Sequence, residues 1–403
     1  MTQREIIFVN RFFHPDVSAT SQMLSDLAFG LKASGHNVSV VCSRQLYENT
    51  NTDLSSTENI KGVNVHRVWT TRFGRRSTVG RAIDYLTFYV SATIALTGKV
   101  DRNSLVVAKT DPPLISIPVA AIAKLKGAKF FNWIQDLFPE VAQRAGMSAL
   151  NGKIGRWISR IRDWSLERAD INVVIGERMR EVLLSRGISA AKLKTISNWQ
   201  DTNLITPIKA TNNRLISEWK LENRFVVMYS GNLGRAHEFR TIINAMTALS
   251  SDSAFHFCFV GGGAQTEKLR SEVNLLGLKN FSFHPYQRRE ELSLSLCCAS
   301  VHLISLLPEH EGLIVPSKYY GILASGRPVI FIGDTDGELA RLIQKEKVGA
   351  TVQVGDAARL VSTIINLKDD NNLRETMSET ARKIAVDKYS TESAVRAWNA
   401  LIH

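Results

Sequence analysis

Ile6-Ile7-Phe8-Val9 opens the chain with a short apolar strand, and Val38-Ser39-Val40-Val41 supplies a second. Between them lie a polar loop, His14 to Thr20, and a segment with apolar residues at Met23, Leu24, Leu27, Ala28 and Leu31. That spacing is the rhythm of a helix with one buried face. Gly35-His36-Asn37 ends it. Strand, helix and strand this close together predict parallel pairing, because a crossover of this length brings the second strand back in the same direction. A parallel sheet needs helices on both faces, so the chain is committed to a layered α/β architecture.

The rhythm repeats. Residues 105–108, 129–134, 171–175 and 193–196 read as strands, with helices over 117–125 and 177–185. A polar stretch, 203–222, carries Pro207 and Asn212-Asn213 and reads as a linker. A second run of strands follows at 225–229, 255–260, 301–306 and 328–332. With 403 residues the chain exceeds one core and suits two domains of about 200 residues each. The expected division is a first doubly wound domain over 1–202, the linker, a second over 223–385, and a C-terminal helix over 386–403 that packs back toward the first. Ligands of such sheets bind outside the carboxyl ends of the strands, and two such domains place the site in the cleft between them.

Charge divides the chain. Residues 1–201 hold 27 Lys and Arg against 17 Asp and Glu, so +10 of the net +12 lies in the first half. A basic half attracts polyanions, whether nucleic acid, anionic lipid or phosphorylated substrate. Cys42, Cys258, Cys297 and Cys298 show no zinc spacing and read as reduced core thiols. The start, MTQREIIFVN, predicts no secretory leader. The longest apolar stretch, Tyr85 to Thr97, falls short of the ~20 residues that span a bilayer. Arg72, Arg75, Arg76 and Arg81 precede it. A basic cluster beside an apolar helix suits an anionic membrane surface; a buried helix with a solvated arginine rim fits the same residues. Trp157 and Trp164 share one face of another basic segment, where core packing explains them as well as interfacial anchoring does.

Three loops after strands of the second half carry the chemistry. Gly231-Asn232-Leu233-Gly234-Arg235 and Gly261-Gly262-Gly263 let a backbone approach a phosphate or base closely, though tight packing uses glycine too. The third runs from Glu311 to Ile330. There Pro316-Ser317 opens a helix, with Ser317 read as its N-cap and Lys318 in its first turn. Lysine opposes the helix dipole at that end, and a bound anion would reverse the cost. Lys318 beside free backbone amides therefore reads as a diphosphate cradle; the other reading is a solvated lysine.

These residues carry a resemblance. Gly35 to Val41, Asp136 to Glu140 and Ser197 to Asp201, with Tyr229 to Arg235, Val260 to Gly263 and Glu311 to Ile330, resemble retaining glycosyltransferases of family 4 over nearly the whole chain. Pro316-Ser317-Lys318, Gly326-Arg327-Pro328 and Asp336-Gly337-Glu338 resemble a bacterial subgroup that adds amino-sugars or deoxysugars to O-antigen, capsule or exopolysaccharide precursors. The resemblance implies an α/β chain of GT-B fold, two doubly wound Rossmann-like domains facing across a cleft. It also implies a nucleoside diphosphate sugar donor, UDP-linked, and a polyprenyl-diphosphate-linked or saccharide acceptor. The protein would be cytoplasmic, peripheral on the inner face of the membrane, with no nucleic acid partner.

The residue roles follow the same resemblance. Glu311 would hold sugar hydroxyls, and Asp136 would position or deprotonate the acceptor hydroxyl. Donor contacts would come from Ser18, Gly231, Asn232, Arg235, Gly262, Gly312, Leu313, Ser317 and Lys318. The ribose-binding glutamate of the family falls on Gly321, which has no side chain, so Glu338 is expected to take that role. The family's Arg and Lys fall on Asn232 and His237, leaving Arg235 and Lys318 to carry the phosphate charge. No cofactor or essential metal is expected; Asp334-Thr335-Asp336 reads as the cap of the next helix. A non-hydrolysing UDP-sugar epimerase is the main rival, and a nucleic-acid-binding protein a remote one.

Overall fold

The computed structural model describes residues 4–74 and 77–403. The chain forms two compact units, one of residues 1–197 with 394–403, the other of residues 198–393.

Among the described residues the first unit has an eight-stranded sheet. Its strands are β1 (Glu5–Val9), β2 (Asn37–Ser43), β3 (Thr57–Ile60), β4 (Val63–Val68), β5 (Ser104–Lys109), β6 (Lys129–Ile134), β7 (Ile171–Val174) and β8 (Leu193–Thr195), in the order β3-β4-β2-β1-β5-β6-β7-β8. Every pairing is parallel except β3 with β4. The expected helix after β1 spans Ala19–Ala33 and buries Met23, Leu24, Leu27, Ala28 and Leu31. The closing helix, Thr391–Ile402, sets Trp398 within 5.1 Å of Trp133, ring centre to ring centre.

The second unit has six parallel strands among the described residues: β9 (Phe225–Ser230), β10 (Phe255–Val260), β11 (Phe281–His284), β12 (Val301–Ser305), β13 (Val329–Gly333) and β14 (Gly349–Gln353), ordered β11-β10-β9-β12-β13-β14. β9 shows why the sequence run is unbroken. Phe225, Val227 and Tyr229 join one apolar cluster, while Val226 and Met228 join another on the opposite face. Both faces are covered over Phe225 to Tyr229, so the first position open to a small polar residue is the last, Ser230.

The polar stretch 203–222 belongs to the second unit. Thr206 donates its amide to Ser293 Oγ at 3.0 Å, and Asn213 caps a short helix, Arg214–Glu218. Among the parallel strands the order of each sheet reverses once, at β1/β5 and at β9/β12. Ligands of doubly wound sheets bind beyond the carboxyl ends of the strands at such a reversal.

Candidate functional site

In the second unit the residues beyond the reversal come from four strands and one helix. Gly231 follows β9 and Gly261 follows β10, both with φ above +110°. The chains lie so close there that a Cβ on Gly261 would sit 2.4 Å from the Gly231 carbonyl oxygen. Only glycine permits this approach. The helix Lys318–Ala324 then brings Lys318 over the first glycine: a Cβ on Gly231 would lie 3.5 Å from Lys318 Cε.

Lys318 Nζ stands 2.6 Å from Tyr229 Oη and 3.9 Å from the centre of the Tyr229 ring. Its other hydrogen-bond acceptor is the Asn232 carbonyl at 3.4 Å. Burial lowers the ammonium to about 7. His237 Nδ1 meets the Ser305 carbonyl, and the imidazole is pushed down to about 3, by burial first and by the Lys318 charge second. His237 is therefore neutral near pH 7 and offers no charge to an anion. Arg235 is exposed and holds no ion pair among the described residues, which leaves its guanidinium available to an anion.

Two tyrosines that sequence reasoning did not single out complete this edge. Tyr229 fixes Lys318. Tyr286, exposed beyond the end of β11, donates its hydroxyl to the Gly262 carbonyl at 3.0 Å and lays its ring beside Gly261 and Gly262. The Gly262 carbonyl also accepts the Leu233 amide at 2.9 Å.

The acidic loop departs from expectation in four places. Ser317 lies in helical conformation and makes no capping bond, so it is not an N-cap. The Leu313 amide is already donated to the His310 carbonyl at 3.1 Å, and only the Gly312 amide of that pair has no acceptor. Asp334 and Asp336 do not cap the helix Glu338–Glu346: Asp334 Oδ1 accepts the Asp336 amide, and Asp336 pairs with Arg341. The capping carboxylate is Glu311, whose Oε1 accepts the Glu338 amide at 2.7 Å. A Cβ on Gly337 would lie 2.5 Å from Glu311 Oε2, so glycine there is what admits the carboxylate. Glu311 and Glu338 are thus coupled at one helix start, where the dipole favours negative charge. Gly321 is buried, and a side chain there would meet Leu296 and Ile205. That position faces packed apolar groups, so nothing polar could be recruited from it.

The first unit gathers a second cluster beyond its own reversal, and most of it was missed from sequence. Lys109 is buried; its Nζ donates to the Thr20 carbonyl at 2.7 Å and sits 3.9 Å from the Trp133 ring centre. Burial lowers it to about 7, against the pull of Asp111 and Asp26. Asp111 accepts from Thr20 Oγ1 at 3.1 Å, and burial raises its carboxyl while Arg11 and Lys109 oppose. Asp136, beyond β6, is raised to about 7 by burial, with the Asp111 charge adding and a Thr110 hydrogen bond opposing. Its Oδ1 is sealed from solvent without a partner, and a cavity of about 20 Å³, bordered by Thr110, Asn132 and Arg162, adjoins it. That is room for about one water. Asp136 caps no helix; the nearest, Glu140–Arg144, has Pro139 at its N-cap position and no side-chain cap. Ser18 belongs to this unit, and Asp16 Oδ1 accepts both its amide and its hydroxyl.

Comparison with known proteins decides the chemistry. The glycosyl transferase 4-like domain family matches residues 19–199, and the glycosyl transferases group 1 family matches residues 212–384. The chain belongs to the glycosyltransferases. This displaces the epimerase and nucleic-acid readings. The glycosyltransferase is 26% identical over 283 residues to a Pseudomonas aeruginosa protein described as glycosyltransferase WbjE, covering 68% of this chain and 69% of that one. It is 24% identical over 346 residues to WcaI of Escherichia coli K12, described as a colanic acid biosynthesis glycosyl transferase, covering 82% and 84%. Among solved structures, a sucrose-phosphate synthase from Thermosynechococcus elongatus superposes with a TM-score of 0.76 at 17% identity over 99% and 98% of the two chains. Anabaena HepE in complex with UDP and glucose gives 0.74 at 14% identity over 99% of each. These likenesses establish the GT-B fold of the glycosyltransferase.

Proposed function

We propose that this glycosyltransferase moves a hexosyl or N-acetylaminosugar unit from a UDP-linked donor, with retention, to a polyprenyl-diphosphate-linked or saccharide acceptor. The setting is bacterial surface polysaccharide synthesis, peripheral to the inner membrane. The names of WbjE and WcaI and the UDP held by HepE support this setting and this donor.

One observation carries the donor reading. Lys318 is half-buried, set against the glycine crossing of β9 and β10, and has no acidic neighbour among the described residues to neutralise it. A diphosphate supplies the missing charge and restores the lysine proton. As the bond from the anomeric carbon to the diphosphate breaks, negative charge grows on the leaving group, and Lys318 with Arg235 stabilises it. No metal is required for that role. Glu311, fixed by the helix start, receives the sugar hydroxyls. Tyr286 offers its ring to the base, while Gly231, Asn232 and Gly262 border the phosphates.

Asp136 has the character of the group that orients the acceptor hydroxyl as it attacks the anomeric carbon. A carboxyl near 7 can accept a proton at neutral pH. Thermal-shift titration with UDP, other nucleotides and UDP-sugars tests the donor reading. UDP and one UDP-sugar should stabilise the protein in the presence of EDTA. Absence of stabilisation by every nucleotide would overturn it. NMR of the product's anomeric proton then reads retention or inversion.

A further inference from the structure

Three helices cover one face of the first unit's sheet: Thr78–Lys99, Ser116–Lys126 and Lys153–Arg168. Their inner sides share a core through Phe88, Ala92, Leu96, Val119, Ala123 and Trp164. The outer side of the first helix is unusual. Val79, Ile83, Leu86, Val90 and Ile94 recur at helical spacing and are 39–71% exposed. Among the described residues the other exposed positions of this helix are Ala82, Thr97 and Gly98, and its cations Arg81 and Lys99 are half-buried. A 22-residue helix thus turns a face without charge toward solvent. A water-facing helix side normally carries charge. Trp69 and Phe73, both 58% exposed, extend the apolar surface past its N-terminal end.

The flanks are basic. Lys124 and, on the third helix, Lys153, Arg156 and Arg160 are exposed. Trp157 stands out from that third helix at 64% exposure, unlike Trp164, which packs inward. The acidic groups of the layer are withdrawn: Asp84 is buried against Arg11 and the 71–74 loop, and Asp163 pairs with Arg162 and Arg186. Only Glu167 is an exposed acid on the three helices. Arg75 and Arg76 lie outside the described residues, and Arg72 pairs with Asp53.

We infer that the outer surface of this helix layer docks on an anionic lipid bilayer, with the Val79-to-Ile94 stripe inserted among the acyl chains and the neighbouring lysines and arginines on the headgroups. Apolar side chains, not the arginine cluster, are the anchor. A second copy of this chain fits the face less well. Two such faces would bring like charges together, and five side chains are far fewer than the roughly 20–30 residues a side of a stable interface. The inference locates the membrane attachment proposed above and rests on none of the transfer chemistry, so it is read without substrate.

The test is flotation of the full chain with vesicles of phosphatidylcholine containing about 30% phosphatidylglycerol, which present the negative surface that attracts basic segments. The wild type should float, and raising salt to about 0.5 M should weaken but not abolish binding, because apolar insertion is not screened. Leu86→Asn/Val90→Asn should cut the bound fraction at least tenfold while the circular dichroism melt and UDP-induced thermal shift stay unchanged. Leu86→Cys provides a second readout: all four native cysteines are buried, so an environment-sensitive dye labels this site alone and should brighten on vesicles. A double variant that floats like the wild type, a wild type released completely by salt, or a wild type that ignores vesicles and instead dimerises through this face would each overturn the proposal.

Discussion

Each unit of this glycosyltransferase holds one lysine whose ammonium sits 3.9 Å from an aromatic ring centre and is lowered to about 7 by burial. Their surroundings differ. Lys109 is enclosed, donates to the Thr20 carbonyl and feels Asp111 and Asp26. Lys318 is half-buried and feels burial alone, with a neutral His237 beside it. The same side chain in the same aromatic setting is internally compensated in one unit and left uncompensated in the other. Compensation inside the fold marks a group that holds structure. Its absence at an accessible site marks one whose partner comes from solution.

The largest expected effects come from removing each lysine in turn. Lys109→Ala leaves Asp111 with Arg11 as its remaining opposing charge and takes a donor from the part-buried Thr20 carbonyl, so stability should fall by about 1–3 kcal/mol in urea unfolding. Lys318→Ala should do the reverse. Unfolding should be unchanged, because the variant removes a desolvated charge, whereas kcat/KM should fall at least ~100-fold, the scale of losing one preorganised donor at a leaving group. If both substitutions destabilise equally and neither spares folding, the two lysines are alike and the comparison fails.

Proton linkage sharpens the contrast. A diphosphate binds the protonated form of Lys318 and so raises its pKa in the complex. UDP affinity is then full below pH 7 and weakens as pH rises above it, by up to about tenfold per unit. Lys318→Arg, charged throughout, should flatten that slope in calorimetric titrations between pH 6 and 9. Lys109 faces no ligand and contributes no such slope. Its influence is on folding. The unfolded lysine holds its proton to about 10.4, above the folded value, so stability contributed by this group rises between pH 7 and that value.

How far the sequence revealed all this depends on what a residue's neighbours are. Strands β6 and β10 were legible to the residue, since aromatic and aliphatic residues fill both, interrupted only by Asn132 and His256 after the leading Lys129 of β6. The unread strands β3, β11 and β14 lie at sheet edges, with only one ladder to satisfy and half-exposed side chains. β4 was missed with β3, although Lys61-Gly62, both at positive φ, marks the hairpin between them. In the site, Lys318 was legible because its conflict with the helix dipole is local. The bond from Glu311 to the Glu338 amide spans 27 positions and depends on Gly337 admitting a carboxylate, which no spacing rule records. Lys109 and Asp111 were passed over for the same reason: their relation to Thr20 exists only once β1 and β5 pair.

Tyr286 gives the smallest and most discriminating outcome. Its ring lies beside Gly261 and Gly262, and Gly261 crosses Gly231, the glycine under Lys318. The ring therefore stands at the end of β10 and the ammonium at the end of the neighbouring β9, so they border the glycine crossing from different sides of one strand pair. Base stacking on an aromatic ring contributes about 1–3 kcal/mol. Half-exposure of this ring places Tyr286→Ala at the low end, roughly a fivefold loss of UDP affinity, with inorganic diphosphate binding untouched. Tyr286→Phe keeps the ring, loses the hydroxyl bond to the Gly262 carbonyl, and should lie near the wild type. Lys318→Ala should weaken UDP and diphosphate alike. If Tyr286→Ala instead weakens both ligands equally, the ring supports the glycine loop and the base sits elsewhere; if only UDP responds, the two ends of the donor are separately held, one by an aromatic face and one by a lysine with no acidic neighbour among the described residues.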